Sequence, residues 1–225
     1  MSLRARLLSA LADRLEPQPA APVLRVAVDG AGKTTFADEL AGVLRERSRR
    51  VIRASVDGFH APRVVRYRRG RGSPEGFYRD SYDLAGLRAA LLGPLGPGGS
   101  WRYRTAIFDH VTDAPLDTPE LEALSGSILI LDGLFLHRPE LRDVWDDSVF
   151  LHVPFEVSVP RGAARGPGYG SPNPHAESNR RYVEGNRLYF READPYGQAG
   201  VVVDNTDLEA PFVVRASPSS EPRVG

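Results

Sequence analysis

The segment Asp29-Gly30-Ala31-Gly32-Lys33-Thr34-Thr35 holds the only lysine of the chain; every other one of the 29 basic residues is arginine. A compact ammonium on a flexible stem acts as a point charge where a planar guanidinium fits poorly. The apolar run Leu24 to Val28 leads into the glycines, and Gly-Lys-Thr opens a helical pattern. That order of strand, glycine-rich turn and helix reads as a phosphate-binding loop. Glycines at 30 and 32 let successive N–H groups turn inward as an anion nest, and the helix adds the positive end of its dipole. Residues 29–35 are therefore expected to bind a nucleoside triphosphate, with Lys33 at the β- and γ-phosphates and Thr34 at a magnesium position. A strict count asks for glycine at Ala27, so the pattern is short by one glycine.

Parallel sheets place ligands outside the carboxyl ends of their strands, so the residues that close each apolar run are the next to inspect. The second run ends Ser55-Val56-Asp57-Gly58-Phe59-His60, the third Leu131-Asp132-Gly133, and the fifth Val203-Asp204-Asn205. Asp57 is the candidate general base, placed to take the proton of an attacking hydroxyl. Asp132 is the candidate magnesium-side carboxylate. Each has a plainer alternative, a turn or cap aspartate.

The elements that must position these groups are short apolar runs alternating with helical patterns, the mark of an α/β fold with a parallel sheet and crossover helices. Core strands are expected at Leu24–Val28, Val51–Val56, Ile128–Leu131, Val149–Val153 and Val201–Val203. Helices are expected over Met1–Leu15, Phe36–Arg47 and Leu84–Leu92, the last capped by Asp83, and from Thr118-Pro119-Glu120. Gly93 to Ser100, with four glycines and two prolines, reads as a loop. The roughly seventy residues between the second and third strands exceed what a crossover needs, so 58–127 is expected to form an inserted substrate-binding lobe. Residues 1–210 then make one domain, and 211–225, rich in proline and serine, read as a disordered tail.

Composition bounds the partners. The 225 residues carry no net charge, so no global field recruits nucleic acid. The absence of cysteine fits a reducing cytoplasm, and no stretch approaches the roughly 20 apolar residues of a membrane span. His60, His110 and His137 lack a zinc spacing. A small-molecule acceptor is the expected partner, with homo-oligomerisation left open. The arginines at 63, 66, 68, 69 and 71, with Tyr67 among them, read as a solvated loop, a nucleic-acid patch or a clamp over an anionic acceptor. Their place after Asp57 favours substrate contact.

Gly-Ala-Gly-Lys-Thr-Thr, Val-Asp-Gly-Phe-His, Tyr-Arg-Thr-Ala-Ile-Phe-Asp-His, Leu-Asp-Gly-Leu-Phe-Leu-His and Asn-Arg-Arg-Tyr-Val-Glu-Gly-Asn-Arg-Leu-Tyr together resemble the uridine kinase family, in the wider group of phosphoribulokinase and pantothenate kinase. The resemblance runs from about Val23 to Asp207. It implies a P-loop fold with a five-stranded parallel sheet and a mobile lid, and transfer of phosphate from ATP, with Mg2+, to a primary alcohol of a small metabolite. By the same resemblance Lys33 and Thr34 hold nucleotide and magnesium, Asp57 is the base, and Asp109 meets sugar hydroxyls. The acceptor side is expected to draw on Asp57, His60, Tyr67, Phe77, Arg104, Asp109, His110 and Arg181. The lid would span 160–192, with Arg161 and Arg165 aimed together at the transferring phosphate if their segment is helical; Arg180 and Arg181 compete for that role. Two departures stand out. Asp57-Gly58-Phe59-His60 replaces the usual Asp-Ser-Phe-Tyr and is closer to pantothenate kinase, and Asp132 stands where glutamate is common. A pyrimidine nucleoside is the first expected acceptor, then pantothenate or another small alcohol; a non-catalytic nucleotide-binding module is the rival function.

Overall fold

Strand-forming runs dominated by valine, isoleucine and leucine assemble the centre of the molecule in a computed structural model that describes residues 1–15, 23–166, 168 and 170–218. Six strands form one sheet: β1 Val23–Gly30, β2 Val51–Ser55, β3 Ser127–Gly133, β4 Asp147–His152, β5 Val201–Asp204 and β6 Phe212–Ala216. Their spatial order is β6-β5-β4-β1-β3-β2. The first five in chain order run parallel, and β6 is antiparallel to β5. The central strands β1 and β3 are buried along their whole length, as strands covered on both faces must be.

One face is covered by α1 (Leu3–Leu15) and α2 (Lys33–Glu46). Leu7, Leu8, Leu11 and Leu15 of α1 and Phe36, Leu40 and Leu44 of α2 recur at helical spacing and join Val26, Val28 and Ile130 in one core cluster. The opposite face carries a second cluster, in which Leu129, Leu131 and Phe150 of the sheet meet Phe77, Tyr78, Tyr82, Leu87 and Leu91 from the 58–127 segment and Tyr189 from a late helix. That segment therefore shares the sheet's core. Its helix α3 (Pro74–Asp80), capped by the Ser73 hydroxyl accepting from Gly76 N at 3.0 Å, packs on α5 (Arg180–Ala193). Between them in sequence lies α4 (Phe155–Ala163). The Leu84–Leu92 helix forms as expected from its Asp83 cap, with its second half, Arg88–Leu92, wound as a π turn.

Two expectations fail. The Thr118-Pro119-Glu120 start leads into no helix: Leu121–Glu122 pairs antiparallel with Arg102–Tyr103, and the Thr118 hydroxyl donates to Ala106 O at 2.6 Å. Leu121 and Leu124 are exposed there, so the segment has no apolar stripe for a helix to bury. The 211–225 tail is not wholly disordered either. Phe212–Ala216 adds an antiparallel edge strand, making six where five were expected, because the alternation of proline and serine begins only after it; residues 219–225 lie outside the described chain. Val56 also leaves β2 for a single 3-10 turn, Val56–Phe59, which carries Asp57.

Candidate active site

The sheet register brings the chemistry-bearing strand ends side by side. Asp132 on β3 is level with Val28 on β1 and Ser55 on β2, so the phosphate loop, Asp132 and Asp57 open onto the same edge. Gly30 and Gly32 have φ of 109° and 84°, and a Cβ on Gly30 would lie 2.2 Å from the Leu151 carbonyl oxygen. Only glycine fits there. Gly32 stands at the N-terminus of α2, with partly exposed Lys33 and exposed Thr34 and Thr35 in its first turn. Fully buried Asn205, just past β5, clamps the loop: its Nδ2 donates to Ala31 O at 3.2 Å while its Oδ1 accepts from Arg4 at 3.2 Å.

Asp29, expected among the nucleotide-binding residues, gives the loop its backbone and not its charge. The buried carboxylate accepts from Leu136 N at 2.9 Å, lies 3.1 Å from His137 Nδ1, and accepts from the Tyr189 hydroxyl. Burial first, and then Asp29, pushes the Tyr189 hydroxyl well above the usual tyrosine range, so it remains a donor. A carboxylate turned into an anion nest would repel phosphate, and these donors hold it away.

Asp132 is wholly buried. Its Oδ2 accepts from the Thr34 hydroxyl at 2.8 Å, and its Oδ1 lies 2.7 Å from Arg53 Nη2. Two hard oxygen donors thus converge beside the phosphate loop, which suits magnesium. Among the described residues no group of three or more His, Cys, Asp or Glu could cage an ion. The remaining ligands would be phosphate oxygens and water, the usual arrangement for this ion.

Asp57 has a half-exposed side chain, and its N–H is held by the Ser55 hydroxyl at 3.3 Å. The buried Tyr82 hydroxyl donates toward the Asp57 carboxylate. Burial, then the charges of Asp57, Asp29 and Asp132, keep that hydroxyl protonated well above the ordinary range. His60 Nδ1 is 3.0 Å from Asp57 O, and its ring lies 4.8 Å from Tyr82 and stacks at 4.7 Å on exposed His110. Burial draws the His60 pKa below its ordinary value despite the opposing pull of Asp57, so the ring is neutral at pH 7. With Nδ1–H given to a carbonyl, Nε2 is left as an acceptor.

Other expected residues have structural partners. Phe77 is buried between α3 and α5 against Phe135 and Tyr182, and so offers no stacking platform. Arg181 lies over Tyr67 at 5.2 Å and Phe77 at 5.4 Å and donates to Arg71 O and Ser73 O, and burial lowers its pKa. Tyr67 is thereby sandwiched among Arg66, Arg71 and Arg181. Arg104 pairs with Asp117 at 2.8 Å. Asp109 closes its own turn, accepting from Thr112 Oγ1 at 2.7 Å and Val111 N at 2.8 Å, and the Thr112 bond holds its carboxyl below the usual range. Arg161 donates to the carbonyls of Asn205 and Thr206 at 3.3 and 2.8 Å, whereas Arg165 lies beyond the end of α4, exposed, so the two do not share a helix face. The arginine loop is largely neutralised: Arg68 and Arg69 meet buried Asp80 at 2.5 and 2.9 Å, and Arg66 meets Asp113 at 3.1 Å.

Sequence reasoning missed Arg53, the Asn205 clamp and the Tyr82 hydroxyl. Arg53 carried a signal, as a lone charge in an apolar strand; Asn205 and Tyr82 depend on contacts made across the fold.

No protein-family model matches the chain, and no curated protein matches it. Solved structures do. A protein of Bacillus stearothermophilus described as a possible uridine kinase superposes with a TM-score of 0.69 at 22% identity, covering 88% of this chain and 97% of its own. A protein of Silicibacter sp. TM1040, provisionally described as a fructose transport system kinase, gives 0.63 at 25% identity over 86% and 96%. Phosphoribulokinase from Rhodobacter spheroides gives 0.58 at 16% over 88% and 76%. The chain has the fold of the phosphate-loop kinases of small molecules.

Proposed function

We propose that this chain is an ATP-dependent kinase that phosphorylates a primary hydroxyl of a small metabolite, a pyrimidine nucleoside first and pantothenate or another small alcohol next. The observation that carries the reading is the convergence, on one sheet edge, of the Gly32-Lys33-Thr34 loop, the Thr34–Asp132 pair and half-exposed Asp57. A binding module needs the first two; a base beside them is what phosphoryl transfer adds. The nucleoside preference leans on the resemblance of the motifs and on the description of the Bacillus stearothermophilus protein. Cytoplasmic ATP is the donor in this reading.

In the reaction, the loop N–H groups and Lys33 bind the phosphates and fix the γ-phosphoryl group in line with the acceptor. Thr34 and Asp132 would hold magnesium together with the nucleotide, and the ion would supply neutralisation of the phosphate charge. Asp57 accepts the acceptor's hydroxyl proton as the new O–P bond forms and the bond from the γ-phosphorus to the β,γ-bridging oxygen breaks, leaving ADP. Tyr82 orients the Asp57 carboxylate, and neutral His60 accepts from a second acceptor hydroxyl. Arg165, exposed past α4, is the lid arginine we assign to the transferring phosphate, since Arg161 is committed to carbonyl oxygens.

Asp57→Asn keeps the shape of the site and removes the base. It should lower kcat by about 10²- to 10⁴-fold while ATP affinity, read by titration calorimetry, stays within about twofold. Equal losses in both, or unchanged turnover, would remove Asp57 from the chemistry.

A further inference from the structure

Arg53 is the single charge on β2, and its guanidinium is largely buried against α2 and β3. Its Nη2 lies 2.7 Å from Asp132 Oδ1 and donates to Thr34 O at 3.4 Å, and its Nε donates to Asp38 at 2.8 Å. Asp132 has no solvent exposure, and a buried carboxylate is costly unless a cation stands beside it. The chain supplies that cation itself. Arg53, shared between Asp132 and exposed Asp38, therefore places a positive charge at Asp132 before any nucleotide arrives, and a divalent ion entering alone meets that neighbouring charge. Nucleotide phosphates reverse the balance by adding several negative charges next to Thr34.

We propose that Arg53 is a resident counter-cation that keeps the Thr34–Asp132 pair closed to free divalent ions, so that metal is admitted only together with nucleotide phosphates. Arg53 acts through Asp132 and is a positioning residue. The inference rests on Asp132 being the metal-side carboxylate.

The test uses Mn2+ as probe, with free Mn2+ counted by paramagnetic resonance in solutions of the full chain, with and without a non-hydrolysable ATP analogue. Without nucleotide, Arg53→Gln should bind Mn2+ at least about tenfold more tightly than the parent, because a repelling charge has gone. Arg53→Lys keeps the charge and should behave as the parent does. With the analogue present all three chains should bind Mn2+. A glutamine variant no tighter than the parent, or a lysine variant that matches glutamine, overturns the proposal. If the parent fails to bind Mn2+ even with the analogue, the kinase reading itself falls; if it binds but glutamine gains nothing, only the counter-cation role falls. Arg53→Met replaces glutamine should that variant not fold, and loss of the fold in both would make Arg53 structural and overturn the proposal.

Discussion

At the scale of single residues, the site depends on protonation states that the fold enforces. His60 is partly buried beside Asp57, His110 and Arg66, and that burial, its largest influence, lowers its pKa. A base whose folded pKa is depressed stabilises the protein above its unfolded value of about 6.5 and loses that contribution as pH falls through the folded value. Thermal melting from neutral to mildly acidic pH should therefore fall more steeply for the parent than for His60→Gln. Parallel profiles would show that His60 carries no such linkage. The motif Asp57-Gly58-Phe59-His60 is legible as chemistry in the sequence, because residue type and place after a strand are enough. Asp29 is not. Its position in the loop suggests nucleotide contact, whereas Leu136 N, His137 and Tyr189, all more than a hundred residues away along the chain, take its carboxylate.

At the scale of elements, close approach between α3 and α5 rests on Gly185. A Cβ there would meet Phe77 Cδ1 at 2.7 Å and Pro74 O at 3.0 Å. Overpacking costs about 1–3 kcal/mol, and the helical gain of alanine over glycine returns about 1, so Gly185→Ala should lower stability by up to about 2 kcal/mol in urea unfolding. Gly42 in α2 has nothing within 4 Å of its Cβ position, and Gly42→Ala should instead raise stability by about 0.5–1 kcal/mol. The same sign for both variants would contradict this packing account. The five parallel strands are legible as apolar runs bounded by turn residues. The 118–124 segment misleads because proline after threonine is a helix-start signal that says nothing about whether a buried face exists, and exposed Leu121 and Leu124 provide none. Phe212-Val213-Val214 is hidden by the neighbouring proline and serine, although β5 pairs with it.

At the scale of the whole molecule, the sheet divides two cores with different work. The face under α1 and α2 anchors the helix that follows the phosphate loop, through Phe36, Leu40 and Leu44, and Arg4 reaches Asn205 beside the loop. The other face joins the sheet to the 58–127 segment, so Tyr82 and His60 come to Asp57 as part of the same packing that buries Phe135 and Leu131. No helix among the described residues is long and apolar enough to cross a membrane. The most direct measurement is ADP release from ATP across a panel of uridine, cytidine, pantothenate and simple sugars, with Lys33→Ala as the blank. ADP release should depend on one class of alcohol and disappear in the blank. Tight ATP binding with no acceptor-dependent ADP from any member would contradict the kinase reading and leave a nucleotide-binding module in its place.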